Sequence, residues 1–61
     1  MKCKGCGKHP RQIFEYCLAA AENGTSPEEY VAHEEGTHNP RTKLFWCTSC
    51  YIKAGMPKGK A

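Results

Sequence analysis

Apolar residues in the first part of this chain recur with the spacing of a helix. Between Pro10 and Asn23-Gly24 they fall alternately one and three positions apart, which places them on one side of a helix of 3.6 residues per turn. Proline suits the first helical position, and Asn-Gly suits the end because both residues tolerate the left-handed conformation. The pattern predicts a helix whose buried stripe consists of Ile13, Phe14, Cys17, Leu18 and Ala21.

A second helix is predicted from Ser26-Pro27-Glu28-Glu29 onward. The run combines an N-cap serine, a proline at the first helical position and a glutamate three residues after the serine, which is the capping-box pattern. The body of this helix has few apolar residues, so we expect packing by Tyr30 and Val31 to hold it. Gly36 is predicted to end it.

The next apolar run predicts a β-hairpin. Thr37–Asn39 and Lys43–Trp46 have strand character on either side of a turn at residues 39 to 42, because Asn-Pro favours turns and aromatic residues favour strands. We expect the hairpin to lead directly into Cys47.

A short helix is predicted to follow Cys47. Thr48 or Ser49 would cap it, and Gly55 would end it. Cys50 would then lie in the first turn, where the helix dipole favours a thiolate and lowers the pKa of the thiol. The last four residues, 58 to 61, are predicted to form a disordered basic tail.

Two Cys-x-x-Cys pairs, Cys3/Cys6 and Cys47/Cys50, enclose the first two predicted helices and the hairpin. Each pair can present two sulfurs to one ion, and two pairs supply the four ligands of a tetrahedral zinc site. A chain of 61 residues has only a marginal core, whereas a structural zinc ion contributes about 10 to 16 kcal/mol. We therefore predict one structural Zn²⁺ ion and a small α+β zinc-stabilised domain over residues 1 to 57.

The remaining thiol and the imidazoles have simpler interpretations. Cys17 lies within the apolar stripe, where a free cysteine acts as a small hydrophobe rather than a fifth ligand or a reactive thiol. His9 adjoins the first pair and could replace one sulfur, but a capping or surface role is favoured. His33 and His38 are predicted to be surface residues.

The predicted parts follow one another as a zinc knuckle, a hairpin and a helix that carries the last ligands. The motifs at the two ends of this order are Cys3-Lys4-Gly5-Cys6-Gly7 and Phe45-Trp46-Cys47-Thr48-Ser49-Cys50. This order resembles the treble-clef and zinc-ribbon families of small zinc proteins, with two helices inserted between knuckle and hairpin. The runs from Glu34 to Pro40 and from Cys47 to Pro57 are similar to small proteins of unassigned role encoded by bacteriophages of actinobacteria. That resemblance implies a phage accessory protein in the host cytoplasm and brings no known activity.

Charge is segregated along the chain. Residues 1 to 12 contain four Lys or Arg and no acid, residues 13 to 36 contain all six glutamates, and the remainder contains five Lys or Arg. The formal net charge is +3, but four thiolates on one divalent ion add −2 and leave the zinc form near +1. No apolar run follows Met1, so we expect no signal peptide or membrane span, a cytoplasmic location and reduced thiols.

Two binding functions are consistent with these features. The favoured one is a non-catalytic module that binds a protein partner through an aromatic and acidic surface. Its predicted contact residues are Trp46, Tyr51, Glu34 and Glu35. The alternative is a nucleic-acid-binding zinc finger, because zinc would bring the two basic ends of the chain together. Its predicted contact residues are Lys2, Lys4, Lys8, Arg11, Lys53 and Lys58.

An enzymatic function is the least favoured. Two Cys-x-x-Cys pairs around a histidine-containing hairpin also resemble the zinc-bearing HNH nucleases, with His33, His38 and Asn39 between the pairs. Tyr51, however, stands where that family has a histidine after the last cysteine, and no Asp-His pair is present. A hydrolytic metal site also needs an open coordination position. The chain is therefore predicted not to be an enzyme.

Overall fold

The computed structural model describes all residues from 1 to 61 and confirms a small α+β domain. It contains three α-helices, one turn of 3-10 helix and a sheet of two short strands. In chain order the elements are β1 (Lys2–Cys3), the 3-10 helix (Pro10–Gln12), α1 (Phe14–Asn23), α2 (Pro27–Glu34), β2 (Leu44–Phe45) and α3 (Thr48–Lys53). We refer to α1 and α2, together with the 3-10 helix that precedes them, as the helix pair. We refer to β1, β2, α3 and the Cys3–Gly7 turn as the metal end.

The first predicted helix is interrupted near its start. Pro10 begins a 3-10 turn instead of α1, and Ile13 is extended (φ −111°) between the two helical segments. The predicted end is confirmed, since Gly24 adopts the left-handed conformation (φ 69°) and its N–H reaches the carbonyls of Ala20 and Ala21.

The predicted apolar stripe of α1 is wrong in most of its members. Tyr16 and Ala20 are buried, whereas Phe14 is 79% exposed and Leu18 is 50% exposed. Ala21 is also exposed. Local spacing could not distinguish these two faces, because each carries apolar residues four positions apart. Burial of the tyrosine face is accompanied by a hydrogen bond from the Tyr16 hydroxyl to the Glu35 carboxylate at 2.6 Å.

The start of α2 agrees with the prediction. The Ser26 Oγ accepts a hydrogen bond from the Glu29 N–H at 3.1 Å, and Pro27 is the first helical residue. Val31 is fully buried and Tyr30 packs beside it, as expected for the two anchors of this helix. The helix ends at Glu34, two residues before the predicted Gly36.

The predicted hairpin is largely absent. Only one antiparallel bridge, Asn39 to Leu44, remains of it, while β2 pairs in parallel with β1 in the register Lys2 to Leu44 and Cys3 to Phe45. Convergence of the two cysteine pairs brings the strand before Cys47 beside the strand that ends at Cys3. The hairpin part of the expected treble-clef arrangement is thus replaced by a parallel pair that joins the two ends of the chain.

One core joins the metal end to the helix pair. Phe45 of β2 is fully buried and meets Tyr16 of α1 edge-on, with ring centroids 5.7 Å apart and an interplanar angle of 77°. Edge-to-face pairs of this kind stabilise a fold beyond their buried area. The buried core cluster consists of Cys3, Tyr16, Val31, Phe45 and Cys47.

The end of the chain makes contacts that a disordered tail would lack. The Ala61 N–H donates to the Thr37 carbonyl at 2.8 Å, and the Lys60 ammonium donates to the His38 carbonyl at 3.3 Å. Ala61 is buried. All the helices are too short or too polar to cross a lipid bilayer.

Candidate metal centre

The four predicted ligands come together. The sulfurs of Cys3, Cys6, Cys47 and Cys50 all lie within 4.8 Å of one another. A tetrahedral ion with metal–sulfur bonds of about 2.3 Å would separate its sulfurs by about 3.8 Å, so contraction by about 1 Å or less closes the site. The cluster is therefore compatible with a metal ion, and no fifth thiol or imidazole belongs to it.

The first cysteine pair is shaped by a tight turn. The Gly7 N–H donates to the Cys3 carbonyl at 2.9 Å, and Gly7 has a φ of 75°, which favours glycine. The Cys3 N–H donates to the Lys8 carbonyl at 2.9 Å, which closes the turn on its other side. These bonds aim both sulfurs of the pair in one direction.

The second pair lies at the start of α3. Cys47 is the N-cap residue, one position before Thr48 and two before Ser49, the two predicted caps, and Cys50 lies in the first turn as predicted. The Tyr51 N–H donates to the Cys47 carbonyl at 2.8 Å. α3 itself buries no residue, so its position depends on these cysteines.

Gly5 allows the two pairs to approach. A Cβ at this position would lie 2.7 Å from the Cys50 Cβ and 2.8 Å from the Cys50 sulfur. Such distances are shorter than any normal contact, so only glycine fits without displacing a ligand. The spacing of the cysteines in the sequence did not reveal this requirement.

The surroundings of Cys3 lower the pKa of its thiol. Burial raises its pKa, but hydrogen bonds from the backbone amides of Cys47, Cys6 and Gly5 outweigh burial and lower the pKa from 9.0 to about 6. The Cys47 N–H lies 3.4 Å from the Cys3 sulfur. The amides around Cys3 therefore favour a thiolate at the most buried corner of the site.

Cys50 departs from the expectation that the start of the helix would lower its pKa. Its hydrogen bond with the Cys47 thiol, together with burial and the neighbouring Cys3, raises the pKa to about 12 without a metal. A clustered thiol keeps its proton because that proton is shared with nearby sulfur. A cation that replaces the shared protons would release this constraint.

The cluster is sealed on one side and open on the other. Cys3 is 1% exposed and Cys47 is 5% exposed, whereas Cys6 is exposed and Cys50 is half-buried. The open side faces a groove of about 340 Å³. The groove is lined by Gly5, Cys6, Trp46, Cys50, Lys53 and Ala54.

The other thiol and the imidazoles lie outside the cluster. Cys17 is half-buried, and its thiol donates to the Arg11 carbonyl at 3.1 Å. His9 caps the 3-10 helix, and its Nδ1 lies 2.8 Å from the Met1 carbonyl, in agreement with a capping role. His33 is exposed and His38 half-buried, and both line a cavity that includes Lys60.

The predicted nucleic-acid contacts differ in their surroundings. All six side chains are exposed, but only Lys53 lines the groove, and the Lys4 ammonium lies 5.8 Å from the Trp46 ring centroid. Arg11 is paired with Glu28 at 2.9 and 3.1 Å. This pair raises the pKa of Arg11 and lowers that of Glu28. The remaining three residues are Lys2, Lys8 and Lys58.

The four predicted partner contacts divide into two groups. Trp46 and Tyr51 are half-buried and Glu34 is exposed, so each offers some free surface. Glu35 instead binds within the molecule, where its carboxylate accepts from the Tyr16 hydroxyl and from the Thr37 N–H and hydroxyl, the last two at 3.2 and 3.1 Å. No local pattern in the sequence indicates this tether, which joins residues 19 positions apart.

Comparison with known protein families, with functionally described proteins and with solved structures finds no match to this chain.

Proposed function

We propose that this protein is a non-catalytic module in which one zinc ion holds the metal end and α1 binds a protein partner. Four cysteine sulfurs close enough to bind one ion tetrahedrally are a ligand set of structural zinc. Four such ligands leave no open coordination position for a substrate or water. The role proposed for the metal is therefore to hold the fold. An accessory role in a bacteriophage is compatible with such a module and stays part of the proposal.

The exposed apolar face of α1 is the observation that carries partner binding. Phe14 and Leu18 are one helical turn apart and lie on the same side, away from buried Tyr16 and Ala20. Phe14 is 79% exposed, which leaves the largest apolar side chain of α1 in water. Aromatic side chains at the centre of an interface often account for much of the binding free energy.

The charges beside this face indicate the chemistry of the partner. Glu15 and Glu22 are exposed on α1 and lie next to Phe14 and Leu18 around the helix. Neither glutamate forms an ion pair within the chain, and Arg11, the nearest cation in sequence, is paired with Glu28 instead. The proposed partner surface is therefore an apolar pocket or groove with a basic rim.

The test uses a double variant, Phe14→Ser with Leu18→Ser, beside the wild-type chain. Both are loaded with zinc and used to recover a partner from cells that carry this protein, and the recovered partner is then purified and titrated calorimetrically. Removal of a central aromatic side chain should cost at least about 2 kcal/mol of binding free energy, so the double variant should bind about 30-fold more weakly.

The matched control is Ile52→Ser with Met56→Ser, which removes two apolar side chains that are each 61% exposed elsewhere on the surface. This control should bind the partner like the wild type. Equal binding by the Phe14/Leu18 double variant would contradict the proposal. So would sedimentation showing that the wild type, but not the double variant, forms dimers, because the face would then bind a second copy.

A further inference from the structure

The groove on the open side of the cysteine cluster combines an aromatic wall with a cation. Trp46 is half-buried and supplies the wall, and Lys53 of α3 and Ala54 just after it complete the opening. At about 340 Å³ the groove has room for one flat ring and its substituents. The α1 face proposed above to bind a protein partner shares no residue with it.

Trp46 is anchored through its backbone, and one edge of its ring lies against the turn of the first cysteine pair. The backbone N–H of Trp46 donates to the Thr37 hydroxyl at 2.9 Å. Its Cζ3 would lie only 3.2 Å from a Cβ on Gly5, so the ring edge packs directly on the Cys3–Gly7 turn. A fixed, partly exposed aromatic ring is a stacking platform that loses little freedom on binding.

Two lysines near Trp46, Lys4 and Lys53, can contact an anionic group attached to a stacked ring. No acid lines the groove, and all six glutamates lie between residues 15 and 35. The Lys4 ammonium is 5.8 Å from the Trp46 centroid, close to the limit of about 6 Å for a cation–π contact. Because Lys4 is exposed, its flexible side chain can leave the ring and contact an anion beside it.

We propose that this groove binds single-stranded nucleic acid, with one base stacked on Trp46 and adjoining phosphates contacted by Lys4 and Lys53. With zinc bound, the four thiolates retain a charge of −2 beside these two lysines, so the local charge is nearly balanced. A polyanion without bases therefore gains little binding free energy in the groove. Stacking on Trp46 has to supply the preference for nucleic acid. This step rests on the zinc-held fold proposed above and goes beyond the partner-binding function.

Trp46 is the only tryptophan and reports directly on the groove. The zinc-loaded chain is titrated with an oligothymidylate of about ten nucleotides, a length within the range of known single-strand sites. Polyphosphate and a polyglutamate peptide of equal charge serve as comparison ligands. The oligothymidylate should quench Trp46 fluorescence, and the logarithm of its binding constant should fall with the logarithm of salt at a slope of about −1.4, for two phosphates.

Three variants separate stacking from charge, and a labelled oligonucleotide serves as the reporter for all of them. Trp46→Leu should weaken binding about 5- to 150-fold, the loss expected for one stacked base. Lys53→Gln should halve the salt slope to about −0.7. Arg41→Gln removes the same charge from an exposed residue outside the groove and should leave the slope unchanged.

Several results would overturn this assignment. They are no oligothymidylate binding at low salt, equally strong binding of polyphosphate or polyglutamate, and an equal loss of slope in Lys53→Gln and Arg41→Gln. Zinc content and thermal melts are measured on the same samples. If the zinc-loaded, folded chain does not bind the oligonucleotide, only the proposal of nucleic-acid binding in the groove is contradicted. If the chain is compact without metal, the zinc proposal itself is contradicted. The Phe14/Leu18 double variant should keep its oligonucleotide binding.

Discussion

The helix pair and the metal end are stabilised by different means. In the helix pair, Ser26 caps α2, Gly24 ends α1, and the Tyr16 hydroxyl joins α1 to Glu35 just beyond α2. In the metal end, β1 and β2 have two residues each, and α3 buries none of its residues. The helix pair thus has both local signals and packing, while the metal end depends on four sulfurs.

This difference does not make the two regions independent. Phe45 belongs to the metal end, yet it packs against Tyr16 in the centre of the shared core. The helices α1 and α2 have 10 and 8 residues, shorter than the roughly 12 to 15 at which isolated helices become even marginally stable. Loss of the metal end should therefore unfold the helix pair as well.

The largest expected effect comes from replacing a cysteine of the cluster. Cys50→Ser should abolish stoichiometric zinc binding and leave the chain mostly unfolded, because a structural zinc ion contributes about 10 to 16 kcal/mol, more than a small core can replace. Native mass spectrometry and far-UV circular dichroism measure the two losses.

Cys17→Ser is the matched control for that change. Cys17 lies outside the cluster, so this variant should retain one zinc ion and nearly the whole helical signal. A Cys50→Ser chain with one zinc ion and a native-like melt would contradict the dependence of the fold on the cluster. A helix pair that survived loss of zinc would contradict the shared core.

A smaller effect is expected where the two cysteine pairs touch. Gly5→Ala would place a Cβ 2.7 Å from the Cys50 Cβ, and overpacking of this kind costs about 1 to 3 kcal/mol. Chelator competition should show weaker zinc binding as Cys50 is displaced. Gly36→Ala meets nothing within 4 Å and should change neither zinc affinity nor stability by a comparable amount. Equal effects of the two changes would contradict the close approach at Gly5.

Alkaline pH offers a test of the contact that ties α1 to the residue after α2. Burial, with the bond to Glu35, raises the pKa of Tyr16 above its ordinary value of 10.0. The stabilisation by Tyr16 is thus complete below about pH 10 and is lost as pH rises, by at most about 1.4 kcal/mol per pH unit.

Tyr16→Phe isolates this contribution. At pH 8 the variant should be less stable by about 1.5 kcal/mol, because the Glu35 carboxylate loses one hydrogen bond. Above pH 10 the gap to the wild type should narrow and close near about pH 11, since phenylalanine does not ionise. Urea unfolding of the zinc-loaded proteins measures this difference in the free energy of unfolding. A difference that stayed constant with pH would contradict burial of a neutral Tyr16.

The sequence predicted the features that depend on neighbouring residues. Ser26-Pro27 specified the start of α2, Gly24 the end of α1, and the cysteine spacing identified four thiols that the fold brings together. In each case the deciding contact lies within a few residues, or the spacing itself signals the chemistry.

The features that depend on distant residues were missed. Pairing of β1 with β2 depends on convergence of the chain ends, so the run before Cys47 could equally be interpreted as a hairpin. The buried face of α1 depends on Glu35, which gives the Tyr16 hydroxyl a partner that local periodicity cannot show. Because the Tyr16 face of α1 is the buried one, Phe14 and Leu18 on the opposite face are exposed to solvent.

The smallest expected effect lies in the helix pair, at the N-cap of α2. Ser26→Ala removes the hydrogen bond from the Glu29 N–H and should cost about 1 kcal/mol, or roughly 4 to 8 °C in the thermal midpoint of a domain this size. Thr25→Ala is the control, since the exposed Thr25 hydroxyl makes no hydrogen bond within the chain. Zinc affinity in the folded state should be unchanged in both, because the cap lies in the region that does not hold the metal. A loss of zinc affinity in Ser26→Ala as large as that in Gly5→Ala would show that the cap and the metal site are coupled more tightly than the separation of the two regions allows.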